Sequence, residues 1–286
     1  MAHCIVPSAE EILDREFPVL DRGFVRLVDY LGSDERIVQA ARVSYGKGTK
    51  TFREDRGLIF YLLRNEHTSP FEQVVLTFHV KLPIFVARQW IRHRTARVNE
   101  ISGRYSMLKD EFYVPALEDL AAQSKDNKQG RSAEPFAPEV GRSIQERIEN
   151  AQSQSYRMYE ELLGTDLARE VARIVLPLGA YTEWYWQMDL HNLMHFLKLR
   201  LDPHAQKEIR LYAQVIFDIT KRVCPLAMEA FDEYVLKGVT FSGKEKEALR
   251  SLLKDRLSEE NWKIHGEAAG LSGKEIDRFR DKLCEK

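Results

Sequence analysis

The stretch QVVLTFHVKLPIFVARQWIRHR, residues 73–94, decides the fold because strand and helix patterns meet in it at Pro83. Before that proline, apolar residues at every second position predict one face of a β-strand: Val74, Leu76, Phe78 and Val80. Proline is favoured at the first position of a helix, because its missing N–H has no helical partner there. The stretch therefore predicts a strand followed at once by a helix over IFVARQWIRHR, residues 84–94.

Strand and helix patterns also occur on both sides of this stretch. GFVRLVDYLG (23–32) and AYTEWYWQM (180–188) predict strands. Helices are predicted over SAEEILDREF with a Ser8–Glu11 capping box, SDERIVQAARVSY with Ser33 as N-cap, DRGLIFYLLRN, SIQERIENAQSQSYRMYEELL, LAREVARIVL capped by Asp166, DLHNLMHFLKLRL and HAQKEIRLYAQVIFDITKRV. The polar segment 123–139 is expected to be a mobile loop.

These elements do not follow a regular βαβ order. They predict the α+β class, with a mixed sheet flanked by helices and with long helices in the C-terminal half. We expect one domain over 1–237, including a short N-terminal extension over about 1–17. The segment 238–286 is expected to be a charged helical extension, with Ser-x-x-Glu helix starts at Ser242 and Ser272.

Composition excludes several classes of protein. The 286 residues include 43 Lys+Arg and 44 Asp+Glu, and the net charge of -1 argues against general nucleic-acid binding. Three distant cysteines form no CxxC pair, which argues against a disulfide framework and a cysteine-rich zinc site. The N-terminus has no long apolar run, and LPIFVARQWI is too short to span a bilayer. We expect a cytoplasmic protein with no membrane, metal or nucleic-acid partner.

Positive charge is nevertheless concentrated in RQWIRHRTARVNEISGRYS, residues 88–106, which holds Arg88, Arg92, Arg94, Arg97 and Arg104. On a helix, residues three or four apart share a face, which would group Gln89 with Arg92 and with His93. The planar fork of arginine matches phosphate oxygens. Three explanations remain open on the residues alone: a solvated charged face with salt bridges, a nucleic-acid patch, or a pocket for a phosphorylated small molecule.

Other polar residues have competing explanations. Arg173 sits among apolar neighbours, which is typical of a snorkelling side chain or of a second phosphate contact. Arg200 lies where a helix ends before Pro203, and there it would complement the helix dipole. A metal-dependent hydrolase would have to gather His67, His191, His195 and His204, but the helix lacks H-E-x-x-H. The sequence also contains no G-x-G-x-x-G, P-loop or G-x-S-x-G motif.

The stretch RHRTARVNEISGRY, residues 92–105, resembles the signature RHRxxSxNExSxRY of the flavin-dependent thymidylate synthases. It matches eight of the nine fixed positions, and the exception is Arg97, where that family usually has serine. The segments AARVSYGKGTK, HTSPFEQVVLTFHVKLPIFVARQWIRHR, REVARIVLPLGAYTEWYW and LMHFLKLRLDPHAQKEIR are similar to the same family. The resemblance covers roughly residues 18–237.

The resemblance implies a homotetramer with active sites shared between subunits. It also implies that dUMP is methylated reductively at C5 of the uracil to give dTMP. FAD is the implied cofactor, and NADPH and 5,10-methylenetetrahydrofolate are the implied co-substrates.

Matching the family's motifs position by position assigns residues to ligands. For FAD, the matching positions are Ser69, Arg92, His93, Arg94, Glu100, Asp189, His191 and His195. For dUMP, they are Gln89, Arg92, Glu100, Ser102, Gly103, Arg104, Arg173 and Arg200. Arg200 matches the catalytic residue that polarises N3 of the uracil, which is a role suited to a guanidinium. No base is evident beside Ser102 at local spacing, so Ser102 is expected to position dUMP rather than act as a nucleophile.

Overall fold

A computed structural model describes residues 5–43, 52–125, 128–254 and 258–284. The chain divides into two compact units, Met1–Leu236 and Lys237–Lys286. None of the helices in the described part of the chain combines the length and the apolar character needed to cross a membrane.

The first unit is built on a five-stranded sheet with the order β1-β2-β3-β7-β4, and a separate hairpin pairs β5 with β6. The strands are β1 (Glu16–Val19), β2 (Gly23–Leu31), β3 (Val75–Pro83), β4 (Arg97–Glu100), β5 (Ala121–Gln123), β6 (Arg131–Pro135) and β7 (Tyr181–Asp189). The strand predictions at β2, β3 and β7 are confirmed.

Helices accompany the sheet in the first unit. They are α1 (Pro7–Glu10), α2 (Asp34–Ala41), α3 (Phe52–Arg64), α4 (Ile84–Trp90), α5 (Pro138–Gly164), α6 (Arg169–Ala172), α7 (Leu190–Arg200), α8 (Lys207–Val223) and α9 (Pro225–Phe231). Ser33 caps α2 as predicted, since its side chain accepts a hydrogen bond from the N–H of Glu35. The α+β class is confirmed.

The sheet was expected to be mixed, but every pairing between its five strands is antiparallel. A single crossover helix would place the next strand parallel to the previous one. Two helices, α2 and α3, lie between β2 and β3. A pair of helices can return the chain to the same end of the strands from which it left. Strand β3 therefore runs antiparallel to β2.

Strand β3 lies at the centre of the sheet, between β2 and β7. Its alternating apolar side chains are fully buried, as the period of two requires: Leu76, Phe78, Val80 and Leu82. The chain then enters α4, and Trp90 at the end of this helix is also fully buried. The ring of Trp90 lies 5.2 Å from that of Trp186 in β7 and 4.9 Å from that of Phe196 in α7.

Helix α4 ends at Trp90 rather than at Arg94. The N–H of His93 bonds to the carbonyl of Trp90, three residues back, and the chain then turns into the edge strand β4. Pro83 remains in β3 and acts as the N-cap of α4, because its ψ of 145° is extended. The prediction that Gln89, Arg92 and His93 share one face of a helix is therefore wrong.

Two predicted helix caps are also wrong. Pro7 occupies the first turn of α1 and Val6 is its N-cap, so the Ser8 hydroxyl instead donates to the carbonyl of Arg222. Asp166 has a φ of 63°, which is the left-handed conformation found at helix ends. It therefore follows the end of α5, and Ala168 is the N-cap of α6.

The segment 123–139, expected to be a loop, contains β6 and the first residues of α5. The hairpin was missed because neither of its strands shows apolar alternation. Its loop is closed by side-chain bonds, in which Nε2 of Gln123 donates to the carbonyls of Lys128 and Gly130 at 2.8 Å each.

The second unit contains α10 (Gly243–Leu253), α11 (Glu259–Ala268) and α12 (Gly273–Cys284). Ser242 and Glu245 form the predicted capping box at the start of α10. Ser272 bonds in the same way to Glu275 through its backbone N–H, at 2.9 Å. Trp262, Ile276 and Leu283 form a small core of their own.

A buried carboxylate joins distant parts of the first unit. Asp34 accepts hydrogen bonds from the N–H groups of Leu226 at 2.8 Å and Ala227 at 3.0 Å, at the start of α9. It thereby satisfies two N–H groups that have no partner within the helix. Burial raises the pKa of Asp34 to about 6 in spite of these bonds.

We predict that Asp34→Asn changes how stability depends on pH. Because the pKa of Asp34 rises on folding from 3.8 to about 6, the folded state binds its proton more tightly. The wild-type free energy of unfolding should therefore fall, relative to that of the variant, as the pH rises through this interval. The expected fall is on the order of 2–3 kcal/mol. Urea unfolding at a series of pH values measures it, and parallel curves would contradict it. Asp218→Asn, at an exposed position of α8, is the control.

Candidate functional site

Arg200, the last residue of α7, is held by two groups from the segment after β3. Its Nε donates to Nε2 of His93 at 3.1 Å, and its Nη2 donates to the carbonyl of Gln89 at 3.2 Å. Because an arginine Nε can only donate, Nε2 of His93 must accept, and the imidazole proton lies on Nδ1. The guanidinium is thus fixed in one orientation by a neutral histidine.

His93 is partly buried among groups that oppose its protonation. Its ring meets those of Phe196 at 5.0 Å and His195 at 6.0 Å, both of them in α7. Burial, the charge of Arg200 and the neighbouring His195 together lower the pKa of His93 to about 4. Near neutral pH the imidazole therefore stays uncharged and remains a hydrogen-bond acceptor for Arg200.

Gln89 connects this cluster to α8. Its side-chain amide donates to Oε1 of Gln206, the residue immediately before α8, while its carbonyl accepts from Arg200. Sequence reasoning selected Gln89 but missed Gln206. Only the family-like segment LMHFLKLRLDPHAQKEIR, which contains Gln206, could have drawn attention to it.

The second half of the signature meets Arg173. A Cβ added to Gly103 would lie 3.0 Å from Cδ1 of Leu108 and 3.3 Å from Cδ of Arg173, so a larger residue would have to displace these two side chains slightly. Arg104 forms an ion pair with Glu170 at 3.1 Å, and Glu170 lies three residues before Arg173. Residues 102–104, predicted to bind dUMP, and Arg173 therefore share one surface.

Arg97 and Glu100 lie at the two ends of strand β4. In the ladder with β7, Arg97 faces Gln187 and Glu100 faces Trp184, which places the two side chains on opposite faces of the strand. Oε1 of Glu100 accepts from the hydroxyl of Thr182 at 2.6 Å. Arg97 is exposed on the other face. Its charge therefore points away from the side that holds Glu100.

A third group of predicted residues lies where β7 meets α7. Asp189 is the N-cap of α7 and accepts from the N–H of Asn192 at 2.9 Å. The turn Phe71–Gln73, just after Ser69, packs against α7 and the end of β7. Ser69 lines a groove of about 500 Å³ that also includes Arg36, Gln39 and Gln73. His191 follows in the first turn of α7, and most of the family-like segment AARVSYGKGTK lies outside the described residues.

The arginine cluster is not a salt-bridged helix face. Arg92 and Arg94 lie after the end of α4 and are exposed. Within the described ranges, no carboxylate lies within 4.0 Å of the guanidinium of Arg88, Arg92, Arg94 or Arg97. Among these described residues, the charge of the four arginines is therefore not neutralised by an ion pair with a carboxylate.

The histidines do not assemble into a metal site. His204 bonds to Asp202 at 2.9 Å, and His67 packs against Tyr61 with ring centroids 5.7 Å apart. In the part of the chain that the structure covers, no group of three or more His, Cys, Asp and Glu residues is placed to hold a metal ion. This arrangement does not support the alternative of a metal-dependent hydrolase.

Two family models match this chain, each over a different part of it. The family model described as "Thymidylate synthase complementing protein" matches residues 26–226, and "Thymidylate synthase ThyX C-terminal domain" matches residues 239–285. The second match extends the similarity into the C-terminal segment, which the resemblance read from sequence did not cover.

Several relatives match nearly the whole chain. A flavin-dependent thymidylate synthase of Treponema denticola is 61% identical over 271 residues, which cover 95% of this chain and 98% of the relative. One from Treponema pallidum is 56% identical, over 99% of this chain and 89% of the relative. Among solved structures, the UMP/dUMP methylase PolB from Streptomyces cacaoi, bound with 5-Br UMP, superposes with a TM-score of 0.69 at 34% identity. That match covers 76% of this chain and 96% of PolB.

We predict that Arg200→Gln raises the pKa of His93. The variant removes a positive charge that opposes protonation of the imidazole, and its smaller side chain also exposes the ring. NMR titration of the His93 ring measures the change against a wild-type pKa of about 4. Arg222→Gln, at the far end of α8, should leave the pKa of His93 unaltered. An unchanged titration in Arg200→Gln would contradict the proposed contact between the two side chains.

Proposed function

The chain belongs to the flavin-dependent thymidylate synthase family, and on that premise we propose that it methylates dUMP reductively to dTMP. In this proposal 5,10-methylenetetrahydrofolate is the carbon donor, and NADPH-reduced FAD is the hydride source for de novo dTMP synthesis. The enzyme is then an NADPH-oxidising, FAD-dependent methyltransferase.

The observation that carries the proposal is the position of Arg200. Two residues assigned to dUMP, Gln89 and Arg200, touch each other, and His93, assigned to the flavin, touches Arg200. His195, also assigned to the flavin, lies beside His93. Residues assigned to the two ligands thus meet at one guanidinium, as transfer of hydride to a pyrimidine ring requires.

Arg200 is proposed to be the catalytic residue. A fixed guanidinium stabilises negative charge that develops on a bound ring, and it does so without reorganising during the reaction. His93 contributes by accepting the Nε hydrogen bond while remaining uncharged, so it orients Arg200 without neutralising it. The carbonyl of Gln89 holds the second nitrogen of the fork.

The phosphate of dUMP is proposed to bind where the signature meets Arg173. Gly103 allows the backbone to approach closely, and Arg104 and Arg173 supply positive charge. The N–H of Arg104 lies 3.3 Å from Oγ of Ser102, which holds this turn in a compact form. The other groups proposed to contact dUMP are Gln89, Arg92, Glu100 and Arg200.

The residues assigned to FAD fit an anionic, aromatic group. Arg92 and Arg94 are exposed cations without a carboxylate partner in the described ranges, which suits a diphosphate. The remaining residues proposed to hold FAD are Ser69, His93, Glu100, Asp189, His191 and His195. When bound, FAD supplies the hydride-transfer chemistry, and the protein binds and orients the reactants.

We also propose a homotetramer with shared active sites. Strand β4 is exposed along its whole length, and apolar side chains around it are exposed: Ile91, Val98, Ile101, Tyr105 and Met107. Such a surface is typical of an interface, and light scattering of the FAD-loaded protein tests for four copies.

The proposed catalytic domain is 1–237, with a short extension over about 1–17, followed by a separate extension over 238–286. The division into two compact units near Leu236 supports this boundary. Limited proteolysis tests it, because cleavage should fall near residue 238. A cytoplasmic location is proposed together with these assignments, and cell fractionation tests it.

We predict that the purified protein is yellow and forms dTMP only when dUMP, methylenetetrahydrofolate, NADPH and FAD are all present. Arg200→Gln should lower dTMP formation on the order of 100-fold, because a fixed positive charge is lost at the ring. Arg222→Gln is the matched control and should be unaffected. A colourless protein that FAD cannot reconstitute would contradict the proposal. Stoichiometric zinc or iron would favour a hydrolase instead, and salt-sensitive nucleic-acid binding without turnover would favour a binding module.

We predict that Arg97→Ser, which restores the usual residue of the signature, changes the affinity for FAD and for dUMP by less than about tenfold, or ~1.4 kcal/mol. Arg97 is exposed on the face of β4 opposite to Glu100, so its charge acts only weakly on the ligands. Fluorescence titration of both ligands measures the effect. A change well beyond tenfold would mean that Arg97 contacts one of them.

A further inference from the structure

A polar cleft of about 470 Å³ adjoins the predicted nucleotide site. The hairpin of β5 and β6 forms one wall, and the start of α8 forms the other. Gln206 lines the cleft, and its side chain accepts a hydrogen bond from Gln89. One residue thus connects the cleft directly to a residue assigned to dUMP.

Each of the two carboxylates paired across the cleft has a cationic partner, although Oε2 of Glu208 is buried without a hydrogen-bond partner. Asp119 accepts a hydrogen bond from Lys207 and lies 3.6 Å from Arg131. Oε1 of Glu208 accepts from Arg131 at 2.7 Å and from the hydroxyl of Tyr113 at 3.1 Å. These bonds tie the hairpin side of the cleft to the first turn of α8.

Among the described residues, Arg210 is an arginine of the cleft that is not paired with a carboxylate. Its Nη1 donates to the carbonyl of Pro203 at 2.7 Å, and no carboxylate in the described ranges lies within 4.0 Å of it. Its charge reaches Asp202 only over a longer distance. The guanidinium of Arg210 therefore supplies positive charge to the wall of the cleft.

The start of α8 adds to this positive potential. The helix has 17 residues, and its N-cap Gln206 makes no side-chain bond to the first-turn N–H groups. Such groups attract anions, because they lack helical partners and carry the positive end of the helix dipole. The cleft thus combines the uncapped start of a long helix with the charge of Arg210.

We propose that this cleft binds the anionic tail of a co-substrate, a carboxylate or phosphate group at a distance from the reacting ring. This inference rests on the proposed function. The phosphate of dUMP is already assigned to Arg104 and Arg173, so the anion in the cleft belongs to a different molecule. Two sources share the required chemistry: the glutamyl carboxylates of the folate and the 2′-phosphate of NADPH.

The test compares Arg210→Gln with Arg210→Lys, which keeps the charge, and with Arg222→Gln, an exposed arginine near the far end of the same helix. Kinetics are measured with the mono- and pentaglutamyl forms of methylenetetrahydrofolate and with NADPH and NADH. Arg210→Gln should raise the KM of one anionic co-substrate about three- to tenfold, because one charge-assisted contact is lost. The KM for dUMP should stay within about twofold of the wild-type value. Arg210→Lys should recover most of the loss.

The two arms identify the source of the anion. If the tail is glutamyl, the effect is larger for the pentaglutamyl folate, and NADPH behaves as in the wild type. If the tail is the 2′-phosphate, Arg210→Gln narrows the preference for NADPH over NADH, and both folates behave alike.

Equilibrium titration with folyl pentaglutamate and with NADP⁺ needs no turnover, so it tests the cleft even if no dTMP is formed. Equal affinities of the wild type and Arg210→Gln for both probes would overturn the inference, while an active wild type would leave the proposed function intact. Arg210 also bonds to Pro203. An equal loss with every substrate, accompanied by a lower Tm and not recovered by Arg210→Lys, would assign it a purely structural role instead.

Discussion

The burial of Trp90 is the constraint on which the candidate site depends. Its indole contacts rings from three other elements: Trp184 and Trp186 of β7, Phe196 of α7 and Tyr212 of α8. Aromatic rings packed edge to face in a core allow little movement. The residue before Trp90 is Gln89, and three residues after it comes His93, so fixing this one side chain places both partners of Arg200.

The same packing explains why Arg200 and His93 can be paired at all. An arginine beside a protonated histidine would be repelled, and a fully solvated histidine would be partly protonated near neutral pH. Contact with Phe196 and with His195 removes water from the imidazole, and its pKa falls to about 4. The imidazole thus becomes an acceptor for a group that can only donate. The packing of aromatic rings around His93 therefore also keeps this imidazole uncharged.

Sequence reasoning predicted the parts of the fold in which local pattern and tertiary packing agree. Strand β3 alternates over Leu76, Phe78 and Val80, and all three side chains are fully buried. It failed where contacts distant in sequence decide the outcome. The end of α4 is set by the turn at His93 and by the pairing of β4 with β7, and neither contact appears in the local pattern. The hairpin of β5 and β6 is held by charged and amide side chains, and a sequence rich in such residues resembles that of a loop.

For the site, the identity of residues was readable from sequence and their grouping was not. Matching the family's motifs suggested Gln89, His93 and Gly103, but helical spacing grouped Gln89 and His93 with Arg92 and not with Arg200, which both of them contact. The contacts of Arg200 with His93 and of Gly103 with Arg173 span at least 70 residues of chain, and no short-range period can report them. Gln206 and Glu170 matter only through such contacts, so they could be found only in three dimensions.

The early end of α4 also bears on the proposal that one short motif contacts two ligands. In a helix that continued to Arg94, the side chains of Arg88 and Arg92 would have shared one helical face and pointed in one direction. Instead the chain leaves the helix after Trp90, turns at His93 and becomes a strand at Arg97. Residues of the turn then project in directions different from those of the strand, where alternation sends Arg97 away from Glu100. The departure from the signature falls at a strand position whose side chain faces solvent, where a long cation is accommodated without entering the side that holds Glu100.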